Sequence, residues 1–223
     1  MDTGALLVIL GKQGAGKGTQ CVMLSRYYAI PHISSGDMLR SNVRQKTPLG
    51  IKAKVAMDAG ELIPDEIVTE MIKARLLQDS AISSGFILDG FPRTVSQAKA
   101  LDDYILPNKF DAVINLDVPQ AVVLKRLASR RVCQDCQAVY STSMPPKVNW
   151  TCDICGGEVV QRDDDTEESI LRRLELYDKE TYPLIDYYTK ANILKNINGV
   201  GATEVVLKRS IKAIDSALKL RKD

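Results

Sequence analysis

Short runs of apolar residues recur along the chain and alternate with longer stretches in which apolar positions follow a helical period. Each run has the length of a strand, and a fully apolar run is typical of a strand buried on both faces. The sequence predicts five such strands, at residues 5–10, 30–34, 86–88, 111–118 and 191–197. Helices are predicted at residues 20–28, 51–59, 119–130 and 203–220, with further helices beginning near residues 34, 64 and 93. This alternation indicates an α/β fold, a five-stranded parallel sheet with helices on both faces.

A glycine-rich segment, Gly11 to Thr19, lies between the first predicted strand and the first predicted helix. It contains the complete G-x-x-x-x-G-K pattern, ending at Lys17, in the strand-loop-helix context of a phosphate-binding loop. Glycines let the backbone wrap closely around a phosphate, which then faces the positive end of the helix and the lysine. Gly18 stands where the pattern has Ser or Thr, and the hydroxyl follows at Thr19. The alternative is an ordinary glycine-rich turn between a strand and a helix.

Residues 34–63 are predicted to form a small helical excursion from the sheet. Ser34 and Asp37 have nearly the spacing of a helix-capping box, so we expect a helix to begin there. Residues 47–50 contain proline and glycine and are expected to interrupt the helical pattern. The excursion is therefore expected to hold two short helices.

Asp89 falls at the carboxyl end of the third predicted strand, where open α/β sheets bind their ligands. A carboxylate there, beside the phosphate loop, can hold hydrated Mg²⁺, whereas the alternative is a turn-forming role before Gly90. Arg93 follows Pro92 into a helix, and its planar guanidinium can bind an anion through two hydrogen bonds. The chain's one histidine, His32, has no evident partner nearby in the sequence, and we interpret it as structural.

Four of the five cysteines form the pattern C-x2-C-x15-C-x2-C. This spacing predicts one tetrahedral, structural Zn²⁺ bound by four thiolates. The alternative, two disulfides, is disfavoured in a cytosolic chain. The fifth cysteine, Cys21, is expected to be a small buried apolar residue. The predicted zinc ligands are Cys133, Cys136, Cys152 and Cys155.

The composition excludes some classes of protein and partner but does not indicate a function. The 223 residues are 45% hydrophobic and 26% charged, as in a globular protein with one main domain and a small insertion. A net charge of +2 is too small to indicate a nucleic-acid or membrane partner. No apolar run approaches the roughly 20 residues of a membrane span, and the start of the chain lacks the pattern of a secretory signal. A cytoplasmic location is the resulting expectation.

Five motifs occur in the order in which adenylate kinases have them, and the sequence resembles a bacterial-type, long-lid, zinc-containing adenylate kinase along almost its whole length. Gly18 is usual in that family, which accounts for the departure from the general phosphate-loop pattern. The motifs are Gly14 to Thr19, Ser35 to Arg40, Asp89 to Arg93, Arg130-Arg131 and Arg162 to Asp165.

The resemblance implies a core of residues 1–33, 64–128 and 166–223, an insertion at 34–63 that binds the nucleoside monophosphate, and a lid at 129–165. It implies the reaction ATP + AMP ⇌ 2 ADP, with Mg²⁺ accompanying ATP and Zn²⁺ in the lid. The attacking phosphate of AMP is already anionic at neutral pH, so no general base is required. The implied partners are ATP, AMP and ADP, with no nucleic acid or membrane, and the implied state is a monomer.

The resemblance also assigns roles to individual residues. The catalytic residues it implies are Lys17, Arg93, Arg130, Arg162 and Arg173. The implied ATP contacts are Gly14, Ala15, Gly16, Lys17, Gly18, Thr19, Arg130, Val139, Tyr140 and Gly201. The implied AMP contacts are Ser35, Arg40, Glu61, Leu62, Ile63, Gly90, Phe91, Pro92, Arg93, Gln97, Arg162 and Arg173.

Several alternatives stay open at this stage. The chain could be a kinase for another nucleoside monophosphate, or it could use GTP as donor. It could instead be a phosphate-loop protein whose zinc module binds nucleic acid, although no basic, aromatic stripe surrounds the cysteines. Asp163 to Asp165 are either charges before a helix N-terminus or, at Asp164 and Asp165, groups that orient the lid arginines. Arg131 and Arg172 fit a solvated helix face as well as a phosphate site.

Overall fold

The computed structural model of the chain describes residues 4–78 and 81–220. Within these residues there are eight strands. They are β1 (Leu6–Leu10), β2 (His32–Ser34), β3 (Phe86–Asp89), β4 (Ala112–Asp117), β5 (Arg130–Cys133), β6 (Val139–Ser141), β7 (Val159–Val160) and β8 (Leu194–Asn198).

Ten α-helices and one turn of π-helix, Tyr177–Thr181, connect the strands of the described part of the chain. The α-helices are α1 (Lys17–Tyr28), α2 (Ser35–Arg44), α3 (Pro48–Asp58), α4 (Asp65–Gln78), α5 (Ala81–Ser84), α6 (Val95–Ile105), α7 (Gln120–Ser129), α8 (Glu167–Leu176), α9 (Pro183–Lys190) and α10 (Thr203–Leu220).

The main sheet has five parallel strands in the order β2-β3-β1-β4-β8. Leu6, Val8 and Leu10 of the central strand β1 belong to the hydrophobic cluster on one face of the sheet. Leu7 and Ile9 belong to the cluster on the other face. The continuous apolar run of β1 thus reflects burial on both faces, and the predicted five-stranded parallel sheet with helices on both sides is confirmed.

Several predicted boundaries are shifted, for local reasons. The predicted break between two helices is present but lies at residues 45–47 rather than 47–50, because the Thr47 side chain accepts a hydrogen bond from the Gly50 backbone N–H and Pro48 begins α3. The helix expected to reach Arg130 ends one residue earlier, and Arg130 is already extended in β5. The last strand begins at Leu194 rather than residue 191, because the chain turns through Asn192 at a φ of 61°.

Two excursions interrupt the core. The first carries α2 and α3, between β2 and α4, and the Ser34 side chain caps α2 by accepting from the Asp37 N–H, as predicted. The second carries an antiparallel sheet of order β6-β5-β7, between α7 and α8. The division at residues 34–63 and 129–165 stays a prediction. No helix in residues 4–78 or 81–220 has the length and apolar character needed to cross a membrane.

Candidate active site

The glycine-rich segment forms a tight loop between β1 and α1, as predicted. Gly14 has a φ of +77° and Gly16, which precedes the first residue of α1, has a φ of +101°; both values favour glycine. A Cβ on Gly14 would lie 2.8 Å from Leu127 Cγ, so the loop packs directly on α7. The helix begins at Lys17, three residues earlier than predicted, and its free N–H groups therefore face the loop.

The Lys17 ammonium is folded back over this loop. Its Nζ donates to the carbonyl oxygens of Gly11 at 2.8 Å and Lys12 at 3.0 Å. Burial lowers the pKa of Lys17 to about 8, although the nearby Asp89 carboxylate acts to raise it. A bound phosphate would supply the negative charge that restores the protonated form.

The Asp89 carboxylate lies at the carboxyl end of β3, beside the loop. Its side chain is 13% exposed, and a Cβ on Gly18 would lie 3.4 Å from Oδ2. Burial acts to raise the pKa of Asp89, but His32, Lys17 and Arg93 outweigh it and hold the pKa below its usual value. Asp89 is therefore ionised at neutral pH, as a group that holds a hydrated cation must be.

His32 has a partner that its neighbourhood in the sequence does not indicate. Its Nε2 lies 3.4 Å from Asp89 Oδ2. Strands β2 and β3 are neighbours in register, with His32 beside Ile87 and Ser34 beside Asp89. The 57 residues that separate the two side chains in the sequence hide a contact created by sheet pairing.

Partly buried arginines converge on the space in front of the loop. Burial, with the like charges of Arg173 and Arg40 nearby, lowers the pKa of Arg93 to about 10. Burial and the like charges of Arg40 and Arg130 lower the pKa of Arg162 to about 9. Cations that destabilise one another in this way form a site for polyanions, which neutralise the accumulated charge.

Two buried aspartates hold two of these arginines. Arg130 Nε donates to Asp165 Oδ2 at 2.7 Å, and Arg173 Nη2 donates to Asp164 Oδ2 at 2.5 Å. Burial opposes ionisation of Asp164, but Arg173 outweighs it and lowers the pKa of that carboxyl. The cap of α8 is Thr166, whose side chain accepts from the Ser169 N–H. Of the two interpretations of these aspartates, the structure therefore supports the one in which they orient arginines.

Arg40, Arg162 and Asp164 also line a cleft of about 260 Å³ between the two excursions. Met57 of α3 and Val132 of β5 contribute apolar walls to it. Arg172, in contrast, is on the surface, where it pairs with Glu61 and Glu175 at 2.8 Å each, so its solvated interpretation is supported.

The four predicted zinc ligands come together in the second excursion. Their sulfur atoms lie within 4.8 Å of one another, with Cys133 and Cys155 3.4 Å apart and Cys136 and Cys152 3.5 Å apart. A disulfide requires about 2.05 Å, so the two-disulfide alternative is wrong. A hydrogen bond from the Tyr140 hydroxyl lowers the pKa of Cys152 to about 6, which favours the thiolate. The donor set and its separations fit a tetrahedral zinc ion, whose thiolate sulfurs lie about 3.8 Å apart.

Comparisons with known proteins agree with this geometry. The family model for adenylate kinase matches residues 9–193. The adenylate kinase of Clostridium tetani is 50% identical over 196 residues, which cover 86% of this chain and 90% of that protein. The adenylate kinase of Clostridium kluyveri is 46% identical over 216 residues, covering 96% and 99%.

The chain belongs to the adenylate kinase family. It is therefore an enzyme of reversible phosphoryl transfer between ATP and AMP, which gives two ADP. A third relative, the adenylate kinase of Clostridium botulinum strain Loch Maree, is 47% identical over 203 residues, covering 90% of this chain and 94% of that protein.

Four of the expected AMP contacts, Ser35, Gly90, Arg93 and Gln97, lie near the carboxyl ends of β2 and β3. Ser35 Oγ and Arg93 Nε both donate to the Gly90 carbonyl, at 2.7 and 2.8 Å. Gln97 is buried; its Oε1 accepts from the Arg93 N–H at 2.7 Å, and its Nε2 donates to Asp65 at 2.8 Å. These contacts fix Arg93 and Gln97 in place before any ligand binds.

Of the remaining expected AMP contacts, some are charged residues held in ion pairs and others lie in or beside the hydrophobic core. Arg40 pairs with Asp37 on its own helix, and Glu61 pairs with Arg172. Phe91 and Ile63 are buried among the hydrophobic side chains of the core. Leu62 and Pro92 adjoin them. Contact of each with AMP stays a prediction.

The expected ATP contacts lie mostly around the loop. Ala15 is buried and Thr19 is exposed on the first turn of α1. Gly201 lies in the exposed segment after β8, with a φ of +126°. Val139 is 53% exposed, whereas the Tyr140 hydroxyl lies 3.4 Å from Cys152 Sγ, so that end of Tyr140 faces the cysteines.

One residue of the site escaped the sequence analysis. Arg126, in the last turn of α7, donates from Nη1 to the Ala15 carbonyl at 3.0 Å and from Nη2 to the Gly199 carbonyl at 3.3 Å. It thereby joins the phosphate loop to the segment after β8. In the predicted helix over residues 119–130, Arg126 lies one turn before Arg130, and this spacing was the signal available in the sequence.

Proposed function

We propose that this adenylate kinase holds the ATP phosphates on the loop from Gly14 to Thr19 and the AMP phosphate on Arg40 and Arg93, with Arg162 and Arg173 between the two. The observation that carries this proposal is the convergence of partly buried, mutually repelling arginines near the phosphate loop. Their lowered pKa values indicate a site built for more negative charge than the protein itself supplies.

Transfer in this arrangement needs positioning and charge neutralisation. The AMP phosphate oxygen that attacks is anionic at neutral pH, so no side chain has to remove a proton. Lys17 and Arg130 approach the ATP phosphates, while the fork of Arg93 orients the attacking phosphate. Asp164 and Asp165 are positioning residues, since they act through Arg173 and Arg130.

Mg²⁺ accompanies ATP in this proposal. The ionised carboxylate of Asp89, next to the phosphate loop, would hold it through its water ligands, and the ion would neutralise phosphate charge. Cys21 and His32 also lie beside Asp89. They would not bind Mg²⁺, because this ion prefers oxygen ligands.

Zinc in the lid has a structural role in this proposal. The four cysteines would supply all four ligands of a tetrahedral ion and would leave no position for a substrate. The sheet of β5, β6 and β7 has only a small apolar cluster, centred on Cys133, Cys152 and Val159, so metal ligation would supply much of its stability.

The insertion and the lid are proposed to close over both nucleotides and exclude water, the competing acceptor. Contacts already tie the insertion to α8: Ser169 Oγ donates to the Asp58 carbonyl at 2.6 Å, and Arg173 Nη2 to the Met57 carbonyl at 2.9 Å. We further propose that the enzyme is a cytoplasmic monomer with no nucleic-acid or membrane partner.

The test is phosphoryl transfer from Mg·ATP to AMP, GMP, CMP, UMP or water, on purified zinc-loaded protein. Rapid ADP formation with AMP alone is the expected result. Preference for another nucleotide would overturn the adenine assignment, and ATP hydrolysis without an acceptor preference would overturn the proposed closure. Arg172→Lys, at the exposed pair with Glu61, is the matched control for substitutions at the buried arginines.

A further inference from the structure

A second group of potential metal ligands lies in the core, away from the lid. Cys21 on α1, His32 on β2 and Asp89 on β3 place a sulfur, a nitrogen and a carboxylate oxygen within 4.8 Å of one another. The His32 Nε2 and Asp89 Oδ2 atoms are 3.4 Å apart. In a tetrahedral zinc site, ligand atoms lie about 3.3–3.8 Å apart, so only small side-chain rotations are needed to complete the triangle.

The imidazole nitrogen in this group has a charged neighbour but no well-formed hydrogen bond. His32 Nε2 is buried, and neither its 3.4 Å contact with Asp89 Oδ2 nor any other contact within residues 4–78 and 81–220 has hydrogen-bond geometry. A buried nitrogen in this position costs free energy, which a bound ion would offset. Cys21 is completely buried, and Asp89 keeps 13% of its side chain exposed beside Gly18, so an ion would enter from the phosphate loop.

We propose that Cys21, His32 and Asp89 form a second metal site, which binds a zinc-like divalent cation through one sulfur, one nitrogen and one oxygen. The three protein ligands leave a fourth position for water or a phosphate oxygen. The soft thiolate and the imidazole select Zn²⁺ or Co²⁺ over Mg²⁺, which requires oxygen ligands.

Occupation of this site inhibits phosphoryl transfer. The ion takes the carboxylate of Asp89, the group that we assign to Mg·ATP, and it places a double positive charge near Lys17. The predicted inhibition rests on the proposed role of Asp89 in binding Mg·ATP. Binding of the ion to the three side chains does not depend on that role. The site thus links the activity to the concentration of free zinc.

Binding is tested without nucleotide, on protein whose lid is filled with zinc. Co²⁺ is then titrated, because Zn²⁺ binds more tightly than Co²⁺ and keeps the lid site. We expect one additional Co²⁺ per chain and a thiolate-to-cobalt charge-transfer absorption. Cys21→Ala should remove that absorption, and His32→Gln should weaken Co²⁺ binding at least about tenfold. Val22→Ala, at the adjacent exposed position of α1, is the control and should behave as the wild type.

Two results would overturn the site: no Co²⁺ beyond the lid in the wild type, or an unchanged absorption in Cys21→Ala. The proposed inhibition of phosphoryl transfer is tested by adding Zn²⁺ to the reaction at saturating Mg·ATP and AMP. Cys21→Ala should keep its basal activity and require at least about tenfold more Zn²⁺ for half inhibition. Equal inhibition of both proteins would overturn the inhibitory role. Inactivity of wild type that has zinc in the lid but no added Zn²⁺ would instead count against the proposed function, so the two failures differ.

Discussion

Arg130 and Asp165 form a bidentate ion pair, in which Arg130 Nε donates to Oδ2 at 2.7 Å and Nη2 donates to Oδ1, and the carboxylate side chain is fully buried. Arg130 begins strand β5 of the lid, and Asp165 directly precedes the cap of α8. The pair therefore sets where the guanidinium stands relative to the phosphate loop.

Asp165→Asn should lower kcat about tenfold to a hundredfold with little change in the KM for ATP. The substitution keeps the shape of the side chain but removes the charge that orients Arg130. Steady-state kinetics with both substrates varied would measure the two constants. Asp163→Asn, at an exposed neighbour, is the control and should stay at the wild-type rate. An equal loss in both variants would contradict the positioning role.

Arg93→Lys should lower kcat/KM for AMP about a hundredfold. Lysine keeps the positive charge but loses the fork, whose Nε donates to the Gly90 carbonyl and whose other two nitrogens have no hydrogen-bond partner within residues 4–78 and 81–220. Initial rates at varied AMP would show the loss. Arg172→Lys should change kcat/KM less than about twofold, because its pairs are exposed. Comparable losses would mean that Arg93 acts only as a general surface charge.

ATP affinity should fall as the pH rises through about 8, because burial lowers the pKa of Lys17 to about 8. Below that pH the ammonium is charged and binds phosphate. Above it, binding must take up a proton, so Kd increases with pH. Titration calorimetry between about pH 7 and pH 9 would measure the slope. Lys17→Arg stays charged in this range and should give a flatter profile, and a wild-type profile equally flat would contradict the assignment.

Removal of zinc should unfold the lid while the core sheet persists. The chain's one tryptophan, Trp150, lies in the lid and its backbone carbonyl accepts from the Val159 N–H, so its fluorescence reports on this region. A chelator should change the fluorescence and lower the first melting transition, and Cys136→Ser should reproduce both effects. Val22→Ala, at an exposed position of α1 outside the lid, should melt as the wild type does. Unchanged fluorescence and melting after metal removal would rule out the structural role.

Features that depend on neighbouring residues were predictable from the sequence. The phosphate loop lies between a buried strand and a helix, and its glycines have the φ values that glycine permits. The cysteine spacing likewise predicted the cluster that forms, because each pair lies in one short turn. The error at Pro48 came from treating proline as a break, although it suits the first turn of a helix capped by Thr47.

Contacts between distant parts of the chain were not predictable in this way. His32 meets Asp89 only because β2 and β3 are adjacent, and the strand order cannot be read from the hydrophobic pattern. Arg126 reaches the Ala15 carbonyl only because α7 packs on the phosphate loop. The charge balance of the arginine cluster depends on the same long-range packing.

The central claim is direct transfer between two nucleotides held by cations, with no side chain acting as a nucleophile. The most direct test is the stereochemistry at phosphorus, measured with ATP whose γ-phosphate is made chiral by oxygen isotopes and sulfur. A single in-line displacement predicts inversion of configuration in the ADP formed from AMP. Retention would reveal two successive displacements through a phosphorylated enzyme, and it would contradict the account.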